Sequence, residues 1–478
     1  MEEITRRFRP IPALLSIAAA FIALMLPIPS LEPRAHATLA ILVFAAGLWM
    51  TESLPIPVTA LAIPLLGIVL GVTDAKGAFA GFGDPIVFLF FGTFLLTDAA
   101  AVHGLNDRLA RAVLGARSVQ GHPIRLLWAV ALLGCAISAW VNNTATTALL
   151  LPLALAAGGL GSPRLLTGVL LMAAYAPSLG GIATPVGSAP NLIGLRLLEQ
   201  QTGMRPSFAA WCAVFAPLAI ISTAVTAWFM SLRARGGLSA MPAARAAQHA
   251  GIAPHGPWTR AERTLIPVFI AVVLLWITPG ILAATPFAGE SWVKLWQARL
   301  PEAAVPLAGA LLLFVLPAGR ANGERILDPL VFRRVDWGTL LLFGGGLSLG
   351  AMMFESGLAR ALGEAIFAHM PVHGMAGIVL ASTLMAVLVS ELTSNTASAS
   401  LVVPVVLALS QVAGVDPVKP ALAATVACSF GFMLPVSTPP NALVYSTGRV
   451  SIREMMAAGV LLDVGGIALV FVWVMAFA

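Results

Sequence analysis

The sequence predicts an all-α polytopic membrane protein built as an inverted repeat with two re-entrant hairpins. Two observations carry that prediction. The first is composition: 478 residues, 59% hydrophobic and 10% charged, with a mean hydropathy of +0.93. Apolar stretches of bilayer-spanning length, roughly 17–25 residues, follow one another from about residue 11 to the C-terminus. The second is internal similarity. Residues 138–152 read SAWVNNTATTALLLP and residues 390–404 read SELTSNTASASLVVP, so Asn143, Thr144 and Pro152 align with Asn395, Thr396 and Pro404. A further pair follows at nearly the same offset: GIATPVGSAPNLI at 181–193 and GFMLPVSTPPNAL at 431–443, matching Pro190-Asn191 with Pro440-Asn441. Polar, helix-breaking residues at matching depths of two apolar halves mark a transporter whose binding site lies where the helices are interrupted.

The elements follow in order. Spans are expected near 12–29, 37–52, 57–73 and 86–102, then a basic amphipathic connector at about 103–121. There Arg108, Arg111 and Arg117 are expected to face headgroups while leucines face the apolar side. Two half-length apolar pieces at 124–141 and 144–158 flank Val-Asn-Asn-Thr; they are too short for two crossings and a loop, so a re-entrant hairpin at about 124–158 is predicted. A broken helix at about 165–200 and a span at 208–232 close the first repeat, residues 1–232. Residues 233–262, rich in Ala, Gly, Arg and Pro, form the expected cytoplasmic linker. The second repeat, 263–478, has spans near 263–283, 303–318 and 337–353, a polar connector at 354–370, a hairpin at about 373–412, a broken helix at about 419–448 and a last span at 455–477. Three spans precede the 86–102 helix but two precede its counterpart at 337–353, which inverts the second copy in the membrane.

Charge gives the orientation and excludes other classes. Most of the 27 Lys and Arg fall in the connections that are cytoplasmic if the N-terminus is inside, among them Arg6, Arg108, Arg164, Arg233, Arg333 and Arg449. The formal charge of +6 therefore reflects topology; no basic patch is interleaved with aromatics, and no nucleic-acid partner is expected. The RRFRP start with AHA at 35–37 resembles a secretory signal, yet the orientation requires an uncleaved first helix. Cys135, Cys212 and Cys428 lie far apart inside apolar segments and read as small hydrophobes. No HExxH, Walker loop or nucleophile–base set points to an enzyme.

Breaking helices in hydrocarbon leaves backbone N–H and C=O groups that protein, water or ligand must satisfy. Half-helix N-termini suit an anion, and unwound carbonyls and hydroxyls suit a hard cation. Asn143, Thr144, Ser188, Asn395, Thr396 and Thr438 can donate hydrogen bonds to an anion, whereas Ser138, Asn142, Ser390, Thr393 and Ser394 offer neutral oxygens to a cation. No Lys or Arg lies in either tip or either broken-helix loop, so co-bound cations are the economical way to neutralise a bound anion. Glu391 adjoins the second tip, but the first copy has Ala139 there; a structural or gating role is expected for it.

At these residues the chain resembles the divalent anion/sodium symporter family, in both Asn-Thr tips, in Cys428-Ser429-Phe430 through Pro435–Asn441, and in Thr51-Glu52-Ser53-Leu54-Pro55-Ile56-Pro57. The resemblance spans nearly the whole chain. It implies a homodimer of eleven-helix protomers with two re-entrant hairpins, working by an elevator motion on di- and tricarboxylates or sulfate; the expected activity is Na⁺-driven import of C4-dicarboxylates such as succinate, malate or fumarate across the inner (plasma) membrane. It places substrate at Asn143, Thr144, Ser188, Asn395, Thr396, Thr438 and Pro439. One Na⁺ is implied at Ser138, Asn142, Asn143 and the Gly187 carbonyl, and its mirror mate at Ser390, Thr393, Asn395 and Ser437. No organic cofactor is implied. The first tip departs from the family's serine by carrying Asn142. A cation-independent exchanger and a Na⁺-coupled sulfate transporter are the alternatives.

Overall fold

Many of the helices start where the sequence supplies proline or a capping side chain at the first turn, as at Pro33, Pro85, Pro123 and Pro163, and several stop at glycine or at the polar breaks. The computed structural model describes residues 9–116, 118–119, 122–158, 162–234, 256–319, 323–369 and 374–478. Most of the expected linker lies outside these residues, as does Arg117. The first half contains α1 (Pro10–Met25), α2 (Pro33–Thr51), α3 (Ile56–Val69), the short α4 (Ala75–Ala80), α5 (Pro85–Val102), α6 (Leu105–Leu114), α7 (Pro123–Ser138), α8 (Asn143–Gly158), α9 (Pro163–Gly180), α10 (Ala189–Thr202) and α11 (Phe208–Ala234). The second contains α12 (Arg260–Ala283), α13 (Ser291–Arg299), α14 (Ala304–Val315), α15 (Val331–Arg334), α16 (Trp337–Glu355), α17 (Leu358–His369), α18 (Gly374–Leu392), α19 (Asn395–Val412), α20 (Val418–Ala427), α21 (Pro439–Ser446) and α22 (Ile452–Phe477). Among the described residues only an isolated bridge, Pro317 to Arg325, departs from the all-helical architecture.

Eight of the described helical segments are long and apolar enough to cross a membrane, and the pair α13–α14, bent by 63°, would add a ninth. The α13 helix is an element the sequence reading missed, because Lys294, Gln297 and Arg299 interrupt its apolar pattern. The connector at 103–121 forms α6 as expected, but Arg108 does not face headgroups. Its guanidinium is bonded to both Glu262 oxygens at 2.5 and 3.0 Å and lies over the Trp258 ring, pinning α6 to the start of α12. Arg111 instead pairs with Asp107.

The packing has two parts, joined where α16 lies on α19. In one, α5 lies on α14 and its counterpart α16 lies on α3, with Gly92 against the Pro306–Leu307 backbone and Gly345 against Ala60. In the other, α7 and α8 pack on α9, and α18 and α19 pack on α20. The copies interlock there. The post-break half-helix α10 packs on α19 and α20 of the other copy, and α21 packs on α8 and α9. Contact is closest at Gly194, where any Cβ would fall 1.9 Å from Thr425 Oγ1.

Candidate functional site

Each hairpin tip is a short turn closed by a side-chain cap. In the first, α7 ends at Ser138 and α8 begins at Asn143. Asn142 Oδ1 accepts the N–H groups of Thr144 at 2.7 Å and Ala145 at 3.1 Å. In the second, Ser394 Oγ accepts from Ala397 N at 3.3 Å. Asn142 and Ser394 thus serve as N-caps, the commonest use of such residues before a helix. Of the side-chain or backbone oxygen that Asn142 is expected to offer a cation, the side chain is committed elsewhere: its Oδ1 is turned into the helix, while its carbonyl accepts from Thr146.

The two breaks are held open by one device used twice. Asn191 Nδ2 donates to the carbonyls of Gly181 and Thr184, both at 2.8 Å; Asn441 Nδ2 donates to those of Gly431 and Leu434, both at 3.0 Å. Both asparagines are fully buried, so these bonds satisfy carbonyls that the interrupted helices leave unpaired. The second break is longer than the sequence suggested: α20 stops at Ala427, not near 434. Its unwound backbone finds another partner, since Glu391 Oε1 accepts from Met433 N at 2.9 Å and Oε2 from Ser437 Oγ at 2.8 Å. Glu391 therefore ties the second tip to the second break, the structural role expected of it.

Around these elements lies a cavity of about 380 Å³, into which the N-termini of α8, α10, α19 and α21 all open. All seven residues expected at the substrate line it: Asn143, Thr144, Ser188, Asn395, Thr396, Thr438 and Pro439. The opposite wall comes from α5 and α16, through Thr93, Thr97 and Thr339, none of which the repeat pattern singled out. Asp336 is the only ionisable residue in the lining, and its carboxylate caps α16 through Thr339 N at 3.0 Å and Thr339 Oγ1 at 2.6 Å. The wall carries no Lys, Arg or His. Four converging helix N-termini in such a wall make an anion site whose positive potential comes from backbone dipoles.

Behind each tip, oxygen atoms crowd a space smaller than a methyl group. A Cβ on Gly181 would sit 2.7 Å from Asn143 Oδ1 and 3.0 Å from the Gly187 carbonyl; one on Gly187 would sit 2.7 Å from Gly181 O and 3.0 Å from Ala139 O. Ser138 Oγ donates to Asn143 Oδ1 at 2.6 Å. Thr184, which the sequence reading missed, bonds Ala139 O at 2.5 Å and accepts from Gly187 N at 3.0 Å. The mirror cluster has Ser390 Oγ bonded to Cys428 O at 2.7 Å and Asn395 Oδ1 at 3.0 Å, with a Gly431 Cβ position 3.1 Å from Ser390 O. Thr393 Oγ1 is buried there without a hydrogen-bond partner. Both clusters offer neutral oxygens suited to a hard monovalent cation.

The family profile described as the sodium:sulfate symporter transmembrane region matches residues 9–478. The chain belongs to this family. A Haemophilus influenzae protein described as an uncharacterized transporter is 32% identical, with 90% of this chain and 89% of that protein aligned. The sodium-dependent dicarboxylate transporters SdcS of Staphylococcus saprophyticus and Staphylococcus aureus are each 30% identical, covering 90% and 88% of this chain and 83% and 82% of their own lengths. Two solved transporters share the fold. Alcanivorax borkumensis YdaH has a TM-score of 0.57 at 16% identity, covering 98% of this chain and 97% of its own. Neisseria gonorrhoeae MtrF has a TM-score of 0.59 at 13% identity, covering 98% and 94%. This member of the symporter family is a multi-pass membrane transporter and not an enzyme.

Proposed function

We propose that this transporter imports C4-dicarboxylates such as succinate, malate or fumarate, coupled to Na⁺. The observation that carries the reading is the cavity into which four half-helix N-termini open and which has no basic side chain. One carboxylate of the substrate would be held at Asn143-Thr144 with Ser188, the other at Asn395-Thr396 with Thr438 and Pro439. Two negative charges in such a wall require neutralisation, because an unpaired buried charge is strongly disfavoured. Two Na⁺ ions would supply it, one at Ser138, Asn143 and the Gly187 carbonyl, the other at Ser390, Thr393, Asn395 and Ser437. The SdcS relatives, sodium-dependent dicarboxylate transporters, support the substrate class.

The same reading assigns the membrane arrangement. The hairpins α7–α8 and α18–α19 would be re-entrant from opposite sides, in an eleven-helix inverted repeat with the N-terminus in the cytoplasm of a plasma-membrane homodimer. The interlocked hairpins and broken helices would move as one unit against a wall containing α5 and α16, an elevator. The cavity lies between these groups, and the contact of α16 with α19 that joins them is one such a motion would have to remake.

Uptake of labelled succinate into proteoliposomes tests this, with an inward Na⁺ gradient against matched K⁺ and no internal anion. Saturable uptake only with Na⁺ is expected. Uptake indifferent to Na⁺ but dependent on internal dicarboxylate would make the protein an exchanger. Sulfate is the second reading, favoured by the family description itself, and Na⁺-driven sulfate flux without succinate flux would establish it.

A further inference from the structure

Away from the substrate cavity, the helices α9, α11 and α22 enclose two further cavities along one seam. The first, of about 310 Å³, lies at the helix ends and is lined by Arg164, Arg233 and Glu454 with Thr167. Both arginines are exposed. Among the described residues neither forms an ion pair within 4.0 Å; Arg233 donates to Ala457 O at 3.2 Å and lies over the Phe229 ring. Glu454 is already committed, accepting from Ser451 N at 2.9 Å, Ser451 Oγ at 2.6 Å and Thr167 Oγ1 at 3.2 Å. The cavity thus holds two guanidinium groups and one carboxylate, which leaves a net charge of +1.

The second cavity, of about 410 Å³, is almost wholly apolar and lies deeper between the same helices. On α11 the lining steps from Arg233 and Met230 in the first cavity to Thr226 and Ser222 in the second; on α22 it steps from Glu454 to Leu461 and Gly465. Steps of three, four and seven residues keep one helix face on one line, so both cavities lie along the same groove. Seven residues separate Arg233 from Thr226, and Glu454 from Leu461. At 1.5 Å per residue that is about 10 Å of depth, enough to pass from a headgroup layer into hydrocarbon. The apolar cavity opens sideways: Val225, Leu461 and Val472 are 50%, 54% and 60% exposed.

We infer that this seam is a seat for an anionic phospholipid, its phosphate between Arg164 and Arg233 and an acyl chain in the apolar cavity. A free phosphate fits only the upper cavity, and a zwitterionic lipid brings a cation that cancels its phosphate charge; the two cavities together select a net anionic head joined to a tail. The leaflet occupied follows from the orientation proposed above, and on it is the inner one; the seat itself does not depend on that orientation.

Native mass spectrometry of the intact protein, delipidated and incubated with equal phosphatidylglycerol and phosphatidylcholine, tests the inference. One net positive charge near a membrane surface sets the expected retention ratio at roughly 5-fold in favour of phosphatidylglycerol. The Arg164→Gln/Arg233→Gln variant is expected to retain the two lipids equally. Gly465→Leu is the second variant: a Cβ there meets nothing within 4 Å, so the larger side chain fills the tail cavity without a clash and should reduce phosphatidylglycerol retention. Equal retention by the wild type, or a preference that survives the double substitution, overturns the seat. Displacement of phosphatidylglycerol by millimolar inorganic phosphate, with no effect of Gly465→Leu, identifies a free-anion site and also overturns it.

Discussion

Replacing Gly187 by alanine is the sharpest perturbation of the first oxygen cluster. The new Cβ would sit 2.7 Å from the Gly181 carbonyl oxygen, 3.0 Å from the Ala139 carbonyl oxygen and 3.0 Å from Gly181 Cα. All three atoms are backbone, so none can yield by rotating a side chain. Overpacking of this kind costs about 1–3 kcal/mol. If that cost falls on the cation-bound state, the Na⁺ concentration for half-maximal uptake rises by roughly 5- to 150-fold. The mirror substitution Gly431→Ala meets Ser390 O and Ser390 Oγ at 3.1 Å, where the hydroxyl can rotate, so its effect should be smaller. The assay is Na⁺ titration of succinate uptake in proteoliposomes, paired with the Na⁺-induced shift in thermal unfolding of the detergent-solubilised protein. The second readout separates lost ion binding from lost transport. A folded Gly187→Ala protein with unchanged half-saturation, or a larger effect from Gly431→Ala than from Gly187→Ala, would refute the assignment of the first cluster to a cation.

Substitutions at four further positions test the rest of the site. Thr438→Ala removes both the cap accepting from Asn441 N at 3.2 Å and a hydroxyl in the cavity wall, so stability should fall by about 0.5–2 kcal/mol and succinate affinity should weaken; unchanged uptake affinity removes Thr438 from the substrate shell. Asn191→Ala and Asn441→Ala each leave two buried carbonyls without the amide that bonds them, and each should cost about 1–3 kcal/mol in thermal or chemical unfolding; no loss at either position would mean the breaks are held by something else. Asn142→Ser keeps an N-cap, so uptake and its Na⁺ dependence should stay near wild type, whereas Asn142→Ala should lose about 1 kcal/mol of stability. A large change in Na⁺ half-saturation for Asn142→Ser alone would return residue 142 to the ion shell.

Much of this site is legible in the sequence because membranes punish irregularity. A Ser-Asn-Thr or Asn-Asn-Thr interruption in an apolar run leaves backbone groups that only a binding site or a compensating partner can satisfy, and its duplication fixes where the breaks fall. Helix starts at Asn143 and Asn395 lie within one residue of those expected and the end at Leu392 lies on it, whereas α7 stops at Ser138, three residues short of 141. Thr93, Thr97 and Thr339 left no such mark: a single threonine in an apolar helix reads the same whether it faces a cavity or donates to its own helix, as Thr93 does to Leu89 O. Arg108 misled because an amphipathic pattern gives the polar face of a helix but not what covers it, here Glu262 from 154 residues away.

The sequence by itself determined the class, the two copies and where the breaks lie, though not the full length of the second, and with the family resemblance it pointed to the seven residues that the cavity gathers. Tertiary structure alone decided how the copies combine. Short half-helices cannot bury themselves, so α10 lies on α19 and α20 while α21 lies on α8 and α9, and this exchange brings both tips to one cavity. Local pattern also could not assign side-chain roles at the tips. Asn142 and Asn143 are adjacent and chemically identical, yet one caps a helix and the other turns its oxygen toward Ser138, because only their positions relative to the α8 axis differ.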